Sequence, residues 1–192
     1  MYRMIVAACV MLMANAFVCA QDKAELGKPA PQFTLNDSSG KAVSLSDFSG
    51  KVVVLEWVNP QCPFVQRHYQ TGTMKTLADK YNGKVVWLAV NTTSSATPAD
   101  NAAWISQYAL PYPILSDTGG TVAKAYGAKT TPHMFIIDQQ GKLAYRGGID
   151  DDPQGNKADR TNYVEKALDQ LLAGQTVTQP ETRSYGCSVK YK

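Results

Sequence analysis

Residues 51–69 read KVVVLEWVNPQCPFVQRHY. From Lys51 a β-branched and aromatic run continues to Val58, apolar at every later position except Glu56. Strict alternation would mark a strand with one wet face, whereas an unbroken run marks a strand buried on both faces, as in a sheet covered by helices. After Cys62 the pattern turns helical to about Tyr81, with Gly72 as a break or kink. Pro63 suits the first helical position, because its missing N–H would have no intrahelical partner there and its φ is already set. Cys62 therefore sits on a strand-to-helix turn, facing free amide N–H groups and the positive end of the helix dipole. That setting favours the thiolate, the nucleophilic form of sulfur. A buried cysteine acting as a small hydrophobe is the competing reading.

The same logic extends along the chain. Gly27–Leu35 and Lys41–Leu45, separated by NDSSGK, predict a short opening hairpin. KVVWLAVN from Lys84 is a second buried strand, residues 98–109 a helix, YPILSD a short strand or turn, and GGTVAKAYG a short helix ended by Gly127. HMFIID, the turn QQGK and LAYRGGI form a hairpin. Val164, Ala167, Leu168, Leu171 and Leu172 share one face of a closing helix before Gly174. Alternating strands and helices imply a single α/β domain over residues 21–174, followed by a polar tail, 175–192.

Residues 1–20 carry Arg3, an apolar run from Met4 to Phe17 and the small-residue end Val18-Cys19-Ala20, the pattern of a signal peptide cleaved near Ala20. Export to a periplasmic or extracellular compartment is expected, with no membrane attachment after cleavage. The chain carries 19 Lys and Arg, 16 Asp and Glu and a net charge of +3. Loss of Arg3 lowers that charge by one. Such a balance points to no charged partner, and the basic stripe with interleaved aromatics of a nucleic-acid binder is missing. Cys9 and Cys19 lie in the leader, so the exported chain keeps Cys62 and Cys187, a pair that an oxidising compartment can close into a disulfide.

Taken together, GKPAPQFTL, SLSDFSGKVVVLEW, the Cys-Pro at a helix start, AYGAKTTPHMFIIDQQGKLAYRGGIDDDP and PETRSYGCSVKY resemble the redoxin or peroxiredoxin-like branch of the thioredoxin superfamily, the alkyl hydroperoxide reductase/thiol-specific antioxidant family. The resemblance runs from about Gly27 to Tyr191. It implies a thioredoxin-like fold, a central mixed β-sheet flanked by helices with an N-terminal hairpin and an extended C-terminal tail, and Cys62 as redox nucleophile. Two departures stand out. Thioredoxins carry a second cysteine three residues on, where this chain has Val65. Peroxiredoxins place a proline seven residues before the cysteine and Thr or Ser three before it, where this chain has Leu55 and Asn59. The hydroxyl that would bind peroxide is thus absent.

The resemblance also puts Thr131-Pro132 at the cis-proline position facing the active cysteine, with the Thr131 backbone open to an extended substrate strand. It places Glu56 where thioredoxins keep a buried acid, whose pKa would rise and which could relay a proton to sulfur. An acid paired with a lysine or arginine at a strand end is the alternative. Asn59, Arg67 and His133 are further candidates for tuning the thiol, while His68 reads as a solvated helix residue and Arg146 as a surface residue. DDDP at Asp150–Pro153 reads as a solvated turn, since calcium-loop spacing is absent.

Cys187 has two readings. It could resolve oxidised Cys62 through an intramolecular or intersubunit disulfide, or permanently staple the tail to the body. The expected activity is that of a thiol-dependent oxidoreductase, a disulfide reductase or peroxidase, acting without a cofactor or metal on a thiol/disulfide protein or a peroxide, with an electron donor the sequence does not name. Two other classes compete: a copper-binding or delivery module using Cys62, His133 and Cys187, and a non-catalytic, disulfide-stapled binding domain.

Overall fold

The computed structural model describes residues 23–191; the leader and its cleavage point lie outside the described residues. The fold is built on the run that opened the sequence. Val52–Val58 forms β3, with all seven residues buried. It pairs in parallel with β4 (Val85–Asn91) and antiparallel with β7 (His133–Ile137). With β1 (Thr34–Asn36), β2 (Ala42–Ser44), β5 (Ile114–Ser116) and β8 (Leu143–Gly147) these strands make a seven-stranded mixed sheet in the order β2-β1-β5-β4-β3-β7-β8. The opening hairpin is β1–β2, shorter than the sequence suggested.

Because successive strand residues point to opposite faces, β3 serves two cores at once. Val52, Val54 and Val58 face α1 (Pro63–Gln70), α2 (Thr73–Lys80), α3 (Pro98–Tyr108) and α5 (Tyr163–Leu172). Val53, Leu55 and Trp57 face the opening hairpin and α4 (Thr121–Tyr126). Gly72, at φ 70°, adopts the left-handed conformation that separates α1 from α2, as the break in the helical pattern required. Trp57 is the largest fully buried side chain; its ring lies 5.3 Å from Tyr126 and 5.1 Å from Phe135, and its Nε1–H donates to Thr92 Oγ1 at 3.2 Å. Trp57→Ala removes a large, tightly packed side chain and is expected to cost about 4 kcal/mol in urea unfolding with an unchanged m-value.

The C-terminal tail departs from its reading as a polar appendage. Val177 is buried, the Pro180 carbonyl accepts from the Arg146 amide at 2.9 Å, and the Thr182 amide donates to the Arg146 carbonyl at 3.1 Å. The tail ends in β9 (Cys187–Ser188), which pairs with a two-residue strand, β6 (Thr130–Thr131), in a second small sheet. The DDDP turn is not solvated either. Asp150 and Asp152 are buried, and the Asp152 carboxylate accepts backbone N–H groups from Gly155, Asn156 and Lys157 at 2.8–3.1 Å. Those bonds meet the hydrogen-bonding needs of a buried charge, so the turn can fold inward.

Candidate active site

The strand-to-helix turn is made by Asn59. Its carbonyl accepts the Cys62 amide at 2.9 Å, and its Oδ1 accepts the Gln61 amide at 2.8 Å. Its side chain is thereby committed to the turn. Cys62 is the N-cap of α1, with extended backbone (φ −80°, ψ 121°), and Pro63 follows in the first turn. The Thr131–Pro132 bond is cis, and the Cys62 Sγ lies 2.9 Å from the Thr131 carbonyl oxygen.

Cys187 completes the arrangement. In the β6–β9 ladder Thr131 stands opposite Cys187 and Thr130 opposite Ser188. The Thr131 hydroxyl donates to the Cys187 carbonyl at 3.4 Å, and Cys187 packs against the same core as Cys62. Both cysteines are free thiols in this structure. Burial, the strongest influence on Cys62, pushes its thiol up, but hydrogen bonds from Cys187, Thr131 and the Val65 amide together leave it below the ordinary value. Cys187 goes the other way, to about 11, through burial and the neighbouring Cys62 sulfur. The Thr131 carbonyl can accept from Cys62 only while the thiol is protonated, which opposes this drop. The position at the start of α1 and the neighbouring Cys187 act in the other sense, and Cys62 stays below the ordinary thiol value. The pair thus divides into a more acidic thiol at 62 and a less acidic one at 187.

Only 1% of Cys62 is exposed. The edge expected to lie open beside it is instead covered by the chain's own tail.

Glu56 is wholly buried on the same sheet face as Cys62. Its Oε2 accepts the Trp87 indole N–H at 2.9 Å. Burial raises its pKa to about 7, against the opposing effect of hydrogen bonding to Trp87, Tyr69 and Tyr112. Its Oε1 and the hydroxyls of Tyr69 and Tyr112 are buried without well-formed hydrogen bonds among the described residues. Among the described residues no lysine or arginine pairs with it, and its side-chain partner is the Trp87 indole rather than a cation. Nothing in the sequence marked Tyr69, Tyr112 and Trp87 as its surroundings, since they come from three separate elements.

The other candidates lie away from the sulfur. His133 follows the sheet alternation onto the opposite face, with its ring 4.4 Å from Phe135 and its Nδ1 accepting the Lys129 amide at 3.1 Å. Burial, with Lys129 and Arg146 nearby, lowers its pKa to about 3 and keeps it neutral. Cys62, Cys187 and His133 therefore do not converge, and no group of three or more metal-ligating side chains occurs among the described residues. Arg67 turns to the DDDP loop, its Nη1 donating to the Asp152 carbonyl at 2.9 Å. His68 is not solvated: it is 1% exposed, and its Nε2 lies 2.9 Å from the Tyr185 hydroxyl, which also donates to Asp150 Oδ1. The Tyr185-His68-Asp150 link escaped sequence reading; the only hint was a tyrosine two residues before Cys187.

Comparison with known proteins agrees with this geometry. The AhpC/TSA family model matches residues 26–146. The thiol-disulfide oxidoreductase ResA of Bacillus thuringiensis subsp. konkukian is 32% identical over 130 residues, 67% of this chain and 73% of ResA. Chloroplastic peroxiredoxin Q of Triticum aestivum is 32% identical over 143 residues, 69% of this chain and 62% of that protein. Among solved structures, a hypothetical protein of Sinorhizobium meliloti superposes with a TM-score of 0.80 at 30% identity, covering 89% of this chain and 97% of its own. The chain belongs to the AhpC/TSA family, and it is a thiol-dependent oxidoreductase with a thioredoxin-like fold.

Proposed function

We propose that the protein is an exported thiol-disulfide oxidoreductase in which Cys62 is the nucleophile and Cys187 the resolving thiol. The observation that carries this is the placement of Cys187 opposite Thr131 in the β6–β9 ladder, the residue whose carbonyl the Cys62 sulfur meets at 2.9 Å, with Cys62 the more acidic of the two thiols. The Cys62 thiolate attacks a substrate disulfide, forming a mixed disulfide and releasing one substrate thiolate. Cys187 then gives up its proton and attacks the Cys62 sulfur, closing the Cys62–Cys187 disulfide and releasing the second thiolate. We assign proton exchange with the departing thiolates to Glu56, whose pKa of about 7 lets it both take and give a proton near neutrality. A protein donor outside the cell would reopen the bridge. The leader read at residues 1–20 supports export, and no helix among the described residues is long and apolar enough to cross a membrane.

Disulfide substrates are favoured over peroxides because the residue three before Cys62 is Asn59, whose side-chain oxygen is taken by the Gln61 amide. One equivalent of hydrogen peroxide is expected to oxidise Cys62 only at an uncatalysed rate.

The deciding measurement is the reduction potential of the Cys62–Cys187 couple in glutathione buffers, read by alkylation and mass. A working pair is expected above about −300 mV; a value well below that would identify a permanent staple instead.

A further inference from the structure

Thr130–Thr131 is the strand edge beside Cys62, and it is occupied. Residues of the tail lie along it in antiparallel register, continued by the Val189 amide donating to the Lys129 carbonyl at 3.0 Å. Two features before Cys187 fix that register. Gly186 has φ 124°, and a Cβ there would land on the Thr131 carbonyl oxygen, far inside contact distance, so only glycine passes this point. Tyr185 then drops its hydroxyl between His68 Nε2 and Asp150 Oδ1, two polar groups each 1% exposed, while its ring lies 6.1 Å from Phe64. Arg67 Nη2 also lies 3.1 Å from His68 Nε2, and the Asp152 amide donates to Asp150 Oδ1 at 3.1 Å, so the tyrosine hydroxyl joins a buried polar cluster that recognises its position. The ladder itself is two residues long, Cys187 is half-buried and Ser188 exposed, and past it the chain is held by Val189 against the second core and by the Tyr191 hydroxyl, which donates to the Ala128 carbonyl.

We propose that the Ser184–Val189 segment is a built-in ligand of a peptide groove formed by the Thr130–Thr131 edge and α1. A partner protein reaches Cys62 by taking the same place, presenting an extended Tyr-Gly-Cys segment or its close equivalent. This rests on Cys62 being the nucleophile and adds the partner's recognition features. The tail excludes partners that lack them and holds Cys187 where the partner's cysteine would stand.

The test uses the full chain and hexapeptides of sequence Ser-Tyr-Gly-Cys-Ser-Val whose cysteine is carried as a mixed disulfide with 5-thio-2-nitrobenzoate. The Cys62 thiolate attacks the peptide sulfur; the Cys62–peptide S–S bond forms, the old S–S bond breaks, and coloured 5-thio-2-nitrobenzoate leaves with the electron pair. Gly186→Ala should expel the tail strand and speed this reaction about tenfold over wild type, and Tyr185→Phe, which removes only one hydroxyl, should do so to a smaller degree. In the Gly186→Ala chain, peptides with alanine for the tyrosine or for the glycine should react about tenfold more slowly than the matched peptide. The proposal is overturned if the three peptides react alike in both variants, or if wild type takes the matched peptide as fast as they do. Near-ultraviolet circular dichroism checks that each variant is folded. The small disulfide 5,5′-dithiobis(2-nitrobenzoate) separates the two readings: if it modifies Cys62 while the peptides are indistinguishable, only the groove fails, and if it leaves Cys62 untouched in every variant, the nucleophile assignment fails as well.

Discussion

Cys62→Ser is expected to stop disulfide exchange, with a loss of at least about a thousandfold in rate, whereas Cys187→Ser should keep the first attack and lose the second. The asymmetry follows from the pair's geometry. Cys62 caps α1 and is the more acidic thiol; Cys187 lies on a two-residue strand, and its pKa of about 11 keeps it protonated. A serine at 62 leaves no sulfur positioned to attack. A serine at 187 leaves the Cys62 thiolate with a hydroxyl neighbour, so it still opens a substrate disulfide but has nothing to release it. Acid quenching followed by intact mass should therefore show a persistent Cys62 mixed disulfide with Cys187→Ser and none with Cys62→Ser. Equal turnover by wild type and Cys187→Ser would remove the resolving role from the tail.

How much of this could be read from sequence depends on the kind of interaction. β3 was legible because burial on both faces forces an apolar residue at nearly every position, and α1 because Pro63 and the helical spacing after it are local signals. Cys62 followed from those two. The tail was not legible: it docks through backbone bonds to Arg146, a two-residue ladder and scattered side chains such as Val177, Thr182 and Tyr185, and none of these imposes a periodicity. His68 and Asp150 look like surface residues because the partner that justifies burying them stands at the far end of the chain. His133 shows the converse error. It stands next to Pro132 in sequence, but strand alternation beside Phe135 turns its ring away from the sulfur to the other face.

Glu56 gives the second large effect, on stability rather than rate. Its pKa rises from 4.5 to about 7 on folding because burial penalises the carboxylate. Below about pH 4.5 the acid is protonated in both folded and unfolded chains and contributes no difference. Between about 4.5 and 7 the folded state holds a proton that the unfolded state has released, so stability falls as pH rises, and above 7 the full penalty is present. At 1.36 kcal/mol per unit, that penalty is about 3 kcal/mol. Glu56→Gln keeps an acceptor for the Trp87 N–H and offers an amide donor toward the Tyr69 and Tyr112 oxygens, without a charge to bury. It should unfold at about 3 kcal/mol higher free energy than wild type at pH 8 and match it near pH 4.5, by urea titration. His68 and His133, both lowered to about 3 by burial, contribute with the opposite sign below about 6.5, losing stability as pH falls. Their effect is common to both proteins, so the difference between the two pH curves isolates Glu56. A difference that stays flat from pH 4.5 to 8 would mean that the carboxylate is already solvated or paired in the folded chain, and the proton store assigned to it would be lost.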